Sequence, residues 1–246
     1  MTGVSSRGDH DHHPEAIRER LAAPPAVSYL RDWVYGGIDG SVTTFAIVSG
    51  VVGASLAPSV VLILGAANLF ADGFSMAASN YSATRTERQE FDTLRAVEER
   101  HILQYPEGER EEVRQILEKR GFDAAEIERM TAVITSNRDR WIEFMLAEEY
   151  GLARQIRSAM KAALTTFASF FLCGVIPLIA FVLDLPQPFA ISLAMTLVVF
   201  FAIGSLKSRV LSISWLRGGV ETLLTGAVAA GMAYGIGGLL GGVGGG

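Results

Sequence analysis

The chain has 246 residues, of which 50% are hydrophobic and 19% charged, and it has a formal net charge of −5 and a mean hydropathy of +0.31. A soluble protein of this length would carry more charge, about a quarter of its residues. The acidic balance, with a pI near 5.4, argues against a nucleic-acid partner. The charges are also segregated, because residues 85–157 hold 17 of the 26 acids and 13 of the 21 bases. This pattern predicts an all-α polytopic membrane protein with one polar insert.

A polar tail occupies residues 1–28, and we expect its first 25 residues to be disordered. It contains the run HDHH at His10–His13. Clustered histidines can bind metal ions, and a solvated tail is the alternative interpretation. The sequence does not decide between the two.

Five apolar runs are long enough to cross a bilayer as helices. Two lie within residues 29–84 and three within residues 159–246, where a glycine-rich tail follows the last. The second run continues without a proline into a charged segment, which predicts one long helix that leaves the membrane. The expected spans are residues 33–56, 60–81, 162–183, 189–206 and 218–240.

Residues 85–158, between spans two and three, are expected to form a metal-binding insert of three amphipathic helices. Pro106 is expected to begin the second of these helices, since proline suits the first helical position. The pattern from Asp123 to Glu126 is that of a capping box and predicts the start of the third. This third helix either continues into the next span or is broken near Ser136–Asn137.

The lysines and arginines of the loops predict the orientation, because they favour the cytoplasmic side. All basic segments fall on one side if the chain crosses five times. The amino terminus and the insert are then cytoplasmic, and the carboxyl terminus lies outside. Apart from the Arg-rich insert, the basic residues concerned are Arg18, Arg20, Arg31, Lys207, Arg209 and Arg217.

Polar side chains recur on one face of the second span, at spacings of three and four residues. A carboxylate inside a membrane helix is costly, and by default it marks an ion path. Asp72 with Met76 one turn later combines a hard oxygen with a soft sulfur, which suits a transition metal. The alternative is polar contact between helices without transport. The candidate path residues, including two on span one and one on span five, are Asp39, Thr43, Asn68, Asp72, Met76, Asn80 and Glu221.

Glycines leave part of the first span without side chains, so a neighbouring backbone can approach it closely. We expect this glycine face to form a two-fold interface between two copies of the chain. Asp39 lies well inside the span, which favours a path residue over a cap at a helix break. The glycines are Gly36, Gly37, Gly40, Gly50 and Gly53.

Acids, a histidine and a methionine of the insert occur at spacings of three or four, so its helices can direct them into one space. Carboxylate and imidazole suit Fe²⁺, Mn²⁺ or Zn²⁺. A solvated, salt-bridged surface is the alternative. A di-iron oxidase site is poorly supported, because Glu98 and His101 form the only Glu-x-x-His pair and such a site uses two. The candidate metal ligands are Glu98, His101, Glu109, Glu112, Met145, Glu148 and Glu149.

The chain resembles the vacuolar iron transporter family, as a bacterial-type member, through DGSVTTFAIVSG, ADGFSMAASNY, the Glu-rich insert and RGGVETLLTGAVAAGMAYGIG in that order. The resemblance covers about residues 29–240. It implies a homodimer of five-span subunits with the ion path at the dimer interface, and export of Fe²⁺, often also Mn²⁺, in exchange for protons. His101 and Asn80 depart from the family, where an acid is usual. The resemblance further implies that Asp39 and Met76 line the path, and that the cytoplasmic metal-binding residues are Glu98, Glu109, Glu112, Met145 and Glu149.

These observations predict a secondary transporter rather than an enzyme, in a bacterial inner membrane. Its expected partners are divalent metal ions, protons, the lipid bilayer and a second copy of the chain. No prosthetic group is expected, and Zn²⁺ and Co²⁺ join Fe²⁺ and Mn²⁺ as candidate ions. The alternative is a membrane-anchored metal-binding or ferroxidase-like iron-handling protein without transport.

Overall fold

Helix is the only regular secondary structure in the described part of the chain. A computed structural model describes residues 11–22, 27–152, 157–211 and 214–241. The described residues exclude the start of the tail, which includes His10, and the final glycine-rich residues from 242 onward. They also exclude residues 153–156, where the third insert helix was expected to approach the next span. The nine helices found in the described ranges are α1 (Pro14–Ala22), α2 (Leu30–Gly53), α3 (Pro58–Gln104), α4 (Pro106–Lys119), α5 (Ala124–Thr135), α6 (Arg138–Glu148), α7 (Ala159–Val182), α8 (Pro188–Leu211) and α9 (Trp215–Gly241).

Five of these helices, α2, α3, α7, α8 and α9, are long and apolar enough to cross a membrane. The predicted all-α fold with five spans is therefore confirmed. The expected ends differ from the observed ones by a few residues. Helix α2 begins at Leu30, three residues before the expected start, and it accommodates Asp32 because an acid in the first turn interacts favourably with the helix dipole.

Helix α1 shows that the expectation of disorder is wrong for residues 14–22. Pro14 occupies its first position, where the missing N–H is no loss. Glu15 lies in the first turn and Arg20 in the last, which matches the helix dipole at both ends. The helix buries none of its own residues.

Two compact units make up the described chain. The membrane unit contains the residues up to Ser82 and from Ala159 onward, and the insert unit contains Ala83–Ser158. Helix α3 passes from the first unit into the second without interruption, as the missing proline predicted. Each unit has its own apolar core.

The helices of the insert unit begin where local capping predicts. At the start of α5, Asp123 Oδ1 accepts a hydrogen bond from Glu126 N at 2.8 Å, and Glu126 Oε2 accepts one from Asp123 N at 3.0 Å. At the start of α6, Asn137 Oδ1 accepts a hydrogen bond from Arg140 N at 3.0 Å. Because this cap begins a new helix, the helix expected from residue 123 onward is divided at Ser136–Asn137 into α5 and α6.

The glycine face of α2 is occupied by helices of the same chain. A Cβ added to Gly40 would lie 2.2 Å from the backbone oxygen of Phe170 on α7, and one added to Gly53 would lie 2.4 Å from the backbone oxygen of Tyr234 on α9. The glycines therefore allow close backbone approach, as expected. Packing within the chain covers these two positions, whereas a Cβ added to Gly50 would meet only the backbone oxygen of Ala233, at 3.7 Å. The expected two-fold interface along α2 stays a prediction.

A methyl group at Gly40 is expected to destabilise the membrane unit. Gly40→Ala should cost about 3 kcal/mol, at the upper end for overpacking, because the Phe170 carbonyl cannot rotate away as a side chain can. Gly231→Ala is the matched control, since an added Cβ there meets no atom within 4 Å. Thermal unfolding in detergent measures both variants. Equal melting temperatures for the two would contradict this account of the packing.

Candidate metal path and metal-binding cluster

Hydrogen bonds connect candidate path residues on α2 and α3. Asn68 Nδ2 donates to Thr43 Oγ1 at 3.1 Å, and it lies 3.4 Å from Thr44 Oγ1. Thr43 Oγ1 in turn donates to the backbone oxygen of Asp39 at 2.9 Å. The structure therefore brings Asp39, Thr43 and Asn68 together, and Asn68 also acts as the polar contact between helices that the alternative interpretation described.

Two carboxylates of the membrane unit interact across the same pair of helices. Asp39 lies inside the continuous helix α2, so it does not cap a helix break. Its charge and that of Asp72 on α3 are close enough to interact, and both residues are partly buried. Like charges repel strongly where water is scarce. A divalent cation shared by the two carboxylates, or a proton on one of them, would relieve that repulsion.

The methionine of the predicted path has a packing role. Met76 is partly buried and packs against the apolar core of the membrane unit, which includes Phe45, Leu69 and Phe170. A thioether is flexible enough to fill such a space. Its role as a metal ligand remains a prediction.

Asp32 is a buried acid that the sequence interpretation missed. It is only 4% exposed, and its Oδ1 accepts a hydrogen bond from Asn80 Nδ2 at 2.9 Å. Asn80 Nδ2 also donates to Thr166 Oγ1 at 2.7 Å, so this amide joins α2, α3 and α7. A signal was present, because Asp32 precedes Asp39 by seven residues and two helical turns place both on one face.

The candidate on α9 has a different neighbour. Glu221 Oε2 lies 4.0 Å from Lys207 Nζ on α8, and its side chain is 66% exposed. The structure thus pairs Glu221 with a lysine and not with the candidates on α2 and α3.

Two buried acids form the centre of the insert cluster, which comprises Glu98, His101, Glu109, Glu112 and Glu149. Glu98 is 1% exposed and Glu109 is 4% exposed. Glu98 Oε1 accepts a hydrogen bond from the Tyr150 hydroxyl at 3.0 Å, and Glu109 Oε1 lies 3.4 Å from His101 Nδ1. The long α3 supplies Glu98 and His101, and α4 supplies Glu109 from its first turn.

The two buried carboxyl groups lie close enough for their charges to interact. Each leaves its second oxygen, Oε2, buried with no hydrogen-bond donor among the described residues. Burial, followed by the charges of Glu98, Glu112 and Glu149, raises the pKa of Glu109 to about 7. A pair of acids in this state attracts a cation, because a metal ion can balance the charge of both carboxylates.

An open cavity of about 420 Å³ lies in the insert unit between α4 and the end of α6. Its lining includes Glu112 from α4 and Glu149, which caps the end of α6. Burial and the charges of Glu98 and Glu112 raise the pKa of Glu149. Glu148 also lines the cavity, but its Oε2 accepts hydrogen bonds from Nε and Nη2 of Arg120, so its charge is already compensated.

Met145 packs in an apolar core and not among the acids of the insert cluster. It is 0% exposed and belongs to the apolar core of the insert unit with Trp141, Ile142 and Leu146. Among the described residues, no three His, Cys, Asp or Glu side chains form a preassembled metal site. The cluster is therefore a set of coupled acids and one imidazole that must move together to surround an ion.

The raised pKa of Glu109 predicts that the metal-free insert unit loses stability as the pH rises. A carboxyl with a pKa near 4.5 when unfolded and about 7 when folded keeps its proton preferentially in the folded state. Its contribution to stability is full below the lower value and is lost as the pH rises through the upper one. We expect a loss on the order of 2 kcal/mol between about pH 5 and about pH 8.

Thermal unfolding with a chelator present measures this effect. Glu109→Gln should flatten the pH dependence, because an amide does not titrate in this range. Glu111→Gln, at an exposed position on the same helix, is the control and should leave it unchanged. The same slope in wild type and Glu109→Gln would contradict the prediction.

Comparison with known proteins gives matches over nearly the whole chain. The model of the VIT family matches residues 30–238. The vacuolar iron transporter of Plasmodium berghei (strain Anka) is 31% identical over 96% of this chain and 90% of its own length. Vacuolar iron transporter 1 of Arabidopsis thaliana is 30% identical over 91% and 88%, and that of Oryza sativa subsp. japonica is 29% identical over 92% and 89%. Both the path candidates and the insert cluster fall within the matched residues.

Proposed function

Since the chain belongs to the VIT family, we propose that it exports Fe²⁺ from the cytoplasm in exchange for protons, through a path between two copies of the chain. Family membership and the five membrane-length helices make it an integral membrane transporter of metal ions and not an enzyme. Iron as the cargo is supported by the names of the relatives. Mn²⁺, Zn²⁺ and Co²⁺ are further candidate ions, because the same ligand types accept them.

Two partly buried carboxylates carry the proposed path, Asp39 on α2 and Asp72 on α3, on helices that a hydrogen bond from Asn68 to Thr43 joins. Carboxylates inside a membrane unit attract cations, and they lose that attraction when they are protonated. In the proposed cycle, a metal ion reaches these carboxylates and the thioether of Met76 from the cytoplasmic side. Protons from outside then neutralise the carboxylates and release the ion.

The insert cluster is proposed to collect metal before transport. Its acids repel one another, and a divalent ion would balance their charge. His101 stands 3.4 Å from Glu109, close enough for both to contribute to one ion after a small movement. Of the remaining candidates, Glu112 and Glu149 face a shared cavity from two helices.

A homodimer is proposed because the path carboxylates are only partly buried within one chain. A charged group in the membrane requires a protein-lined or water-filled surrounding, since exposure to lipid is costly. A second copy related by a two-fold axis would supply that surrounding. The interface would use surfaces other than the covered glycines Gly40 and Gly53 of α2. Mass measurement in lipid should give two chains per particle, and an active protein that is strictly monomeric would contradict this part of the proposal.

The orientation is proposed from the basic loops, with the amino terminus and the insert unit in the cytoplasm of a bacterial inner membrane and the carboxyl terminus outside.

Proton coupling is tested by the internal pH of liposomes that contain the purified protein and a pH-sensitive dye. Adding Fe²⁺, Mn²⁺, Zn²⁺ or Co²⁺ outside should change the internal pH if metal entry is exchanged for protons. The size of the change for each ion would give the order of preference. A membrane-anchored metal-binding or ferroxidase-like protein would bind the ions and leave the internal pH unchanged.

A further inference from the structure

Tyr150 lies where the chain leaves helix α6, directly after the capping residue Glu149. Gly151 follows with a φ of +68°, a left-handed conformation that turns the backbone away from the helix. The tyrosine ring packs against the apolar core of the insert unit. The side chain of Tyr150 is therefore fixed by its ring contacts, and its backbone is fixed by the turn.

The hydroxyl of Tyr150 joins the end of α6 to an acid on α3. It donates a hydrogen bond to Glu98 Oε1 at 3.0 Å, across 52 residues of sequence, and the carboxylate of Glu149, the preceding residue, lies close enough for its charge to act on the hydroxyl. Burial and these acids raise the pKa of Tyr150, so the hydroxyl keeps its proton and remains a donor.

The hydrogen bond fixes which oxygen of Glu98 is free. Oε1 is engaged by the tyrosine, whereas Oε2 is buried and accepts no hydrogen bond from any described residue. A buried carboxylate oxygen without a donor is costly unless a proton or a cation approaches it. Hydrogen bonds of this kind orient metal-binding carboxylates in many proteins, and their loss typically weakens metal binding 10–100-fold.

We propose that Tyr150 is a positioning residue that orients Glu98 toward a divalent metal ion in the insert cluster. This inference rests on the proposed metal-collecting function of that cluster. Tyr150 does not itself bind the ion, and it acts through the carboxylate of Glu98.

The test compares Tyr150→Phe with wild type in the purified full-length protein. The substitution removes one oxygen and keeps the ring that packs in the core. Tyr105→Phe is the matched control, because Tyr105 is in the same unit and its side chain is 66% exposed. Calorimetric titration with Mn²⁺ gives the affinity, thermal unfolding gives the stability, and the visible absorption of bound Co²⁺ reports the geometry of its ligands.

Tyr150→Phe should bind Mn²⁺ roughly tenfold or more weakly, with a nearly unchanged melting temperature and an altered Co²⁺ spectrum. Tyr105→Phe should match wild type in all three. Wild-type affinity and spectrum in Tyr150→Phe would overturn the inference. So would weaker affinity that accompanies a lower melting temperature and an unchanged spectrum, because that result describes a packing residue.

A variant that lacks the central acids separates this inference from the function on which it rests. If Glu98→Gln with Glu109→Gln binds Mn²⁺ as well as wild type does, the metal-collecting role itself fails and the inference fails with it. If that double variant loses binding and Tyr150→Phe does not, the role of the cluster stands and only the role of Tyr150 is overturned.

Discussion

Asp39→Asn should reduce metal transport per folded protein by more than roughly tenfold. A unit charge about 4 Å from another is worth roughly 4 kcal/mol at an effective dielectric constant near 20, and about 1.4 kcal/mol already corresponds to a factor of ten. The asparagine has nearly the same volume, and the backbone oxygen that accepts from Thr43 is retained. The loss should extend to all divalent ions and to their coupling with protons, because a carboxylate attracts any cation and also carries the proton.

Met76→Ala should change the selectivity of transport among metal ions, whereas Asp39→Asn should reduce the transport of all of them. It removes a thioether and no charge, so soft and borderline ions should be affected more than Mn²⁺. Some loss of stability is expected as well, because Met76 packs against the core of the membrane unit.

Matched controls separate a path residue from a packing residue. Asp184→Asn makes the same chemical change in the turn between α7 and α8, and Met160→Ala does so at a residue that is 56% exposed. Transport of Fe²⁺, Mn²⁺ and Co²⁺ is measured per folded protein in liposomes. If Asp39→Asn and Met76→Ala melt earlier while their folded fraction transports at the wild-type rate, both residues serve packing and the path assignment is wrong.

Glu98→Gln combined with Glu109→Gln should weaken metal binding by the insert by roughly 100-fold or more, since direct ligands contribute at least as much as their neighbours. The protein should remain folded. A glutamine at position 98 can still accept from Tyr150, and the change removes two buried acids that repel each other.

Glu107→Gln combined with Glu111→Gln is the control for the change in net charge. Both glutamates are exposed, and they pair with Arg110 and Arg114 on the surface of α4. Calorimetric titration of the full-length protein with Mn²⁺ measures stoichiometry and affinity in both double variants. Equal binding by the two would mean that the buried acids do not hold the metal.

The fold was predictable from local sequence because its signals are local. Apolar runs define the five spans, the absence of a proline after the second run gives one long α3, and a capping box marks the start of α5. The resemblance to the vacuolar iron transporter family is confirmed by the matches over residues 30–238. The helix α1 was missed because a short, largely polar segment of nine residues gives only a weak helical pattern.

The candidate site was only partly predictable, because its contacts join residues that are distant in sequence. Spacing within a helix predicted a shared face but not the neighbour of that face. Met145 thus belongs to an apolar core, and Glu148 pairs with Arg120, 28 residues earlier. Tyr150 had no sequence signal at all, since its role depends on Glu98 in another helix.

The glycines of α2 illustrate the same limit. Their spacing predicts close helix packing, which occurs, but a sequence cannot tell whether the partner is a helix of the same chain or of a second copy.

Uptake of Fe²⁺ by sealed liposomes that contain only the purified protein tests the central claim most directly. Metal inside the vesicles is measured over time, with the proton gradient imposed and then collapsed, and protein-free vesicles give the background. The account predicts metal accumulation that depends on the gradient and is lost in Asp39→Asn. Metal that binds to the vesicles but never enters them, with or without the gradient, would contradict it.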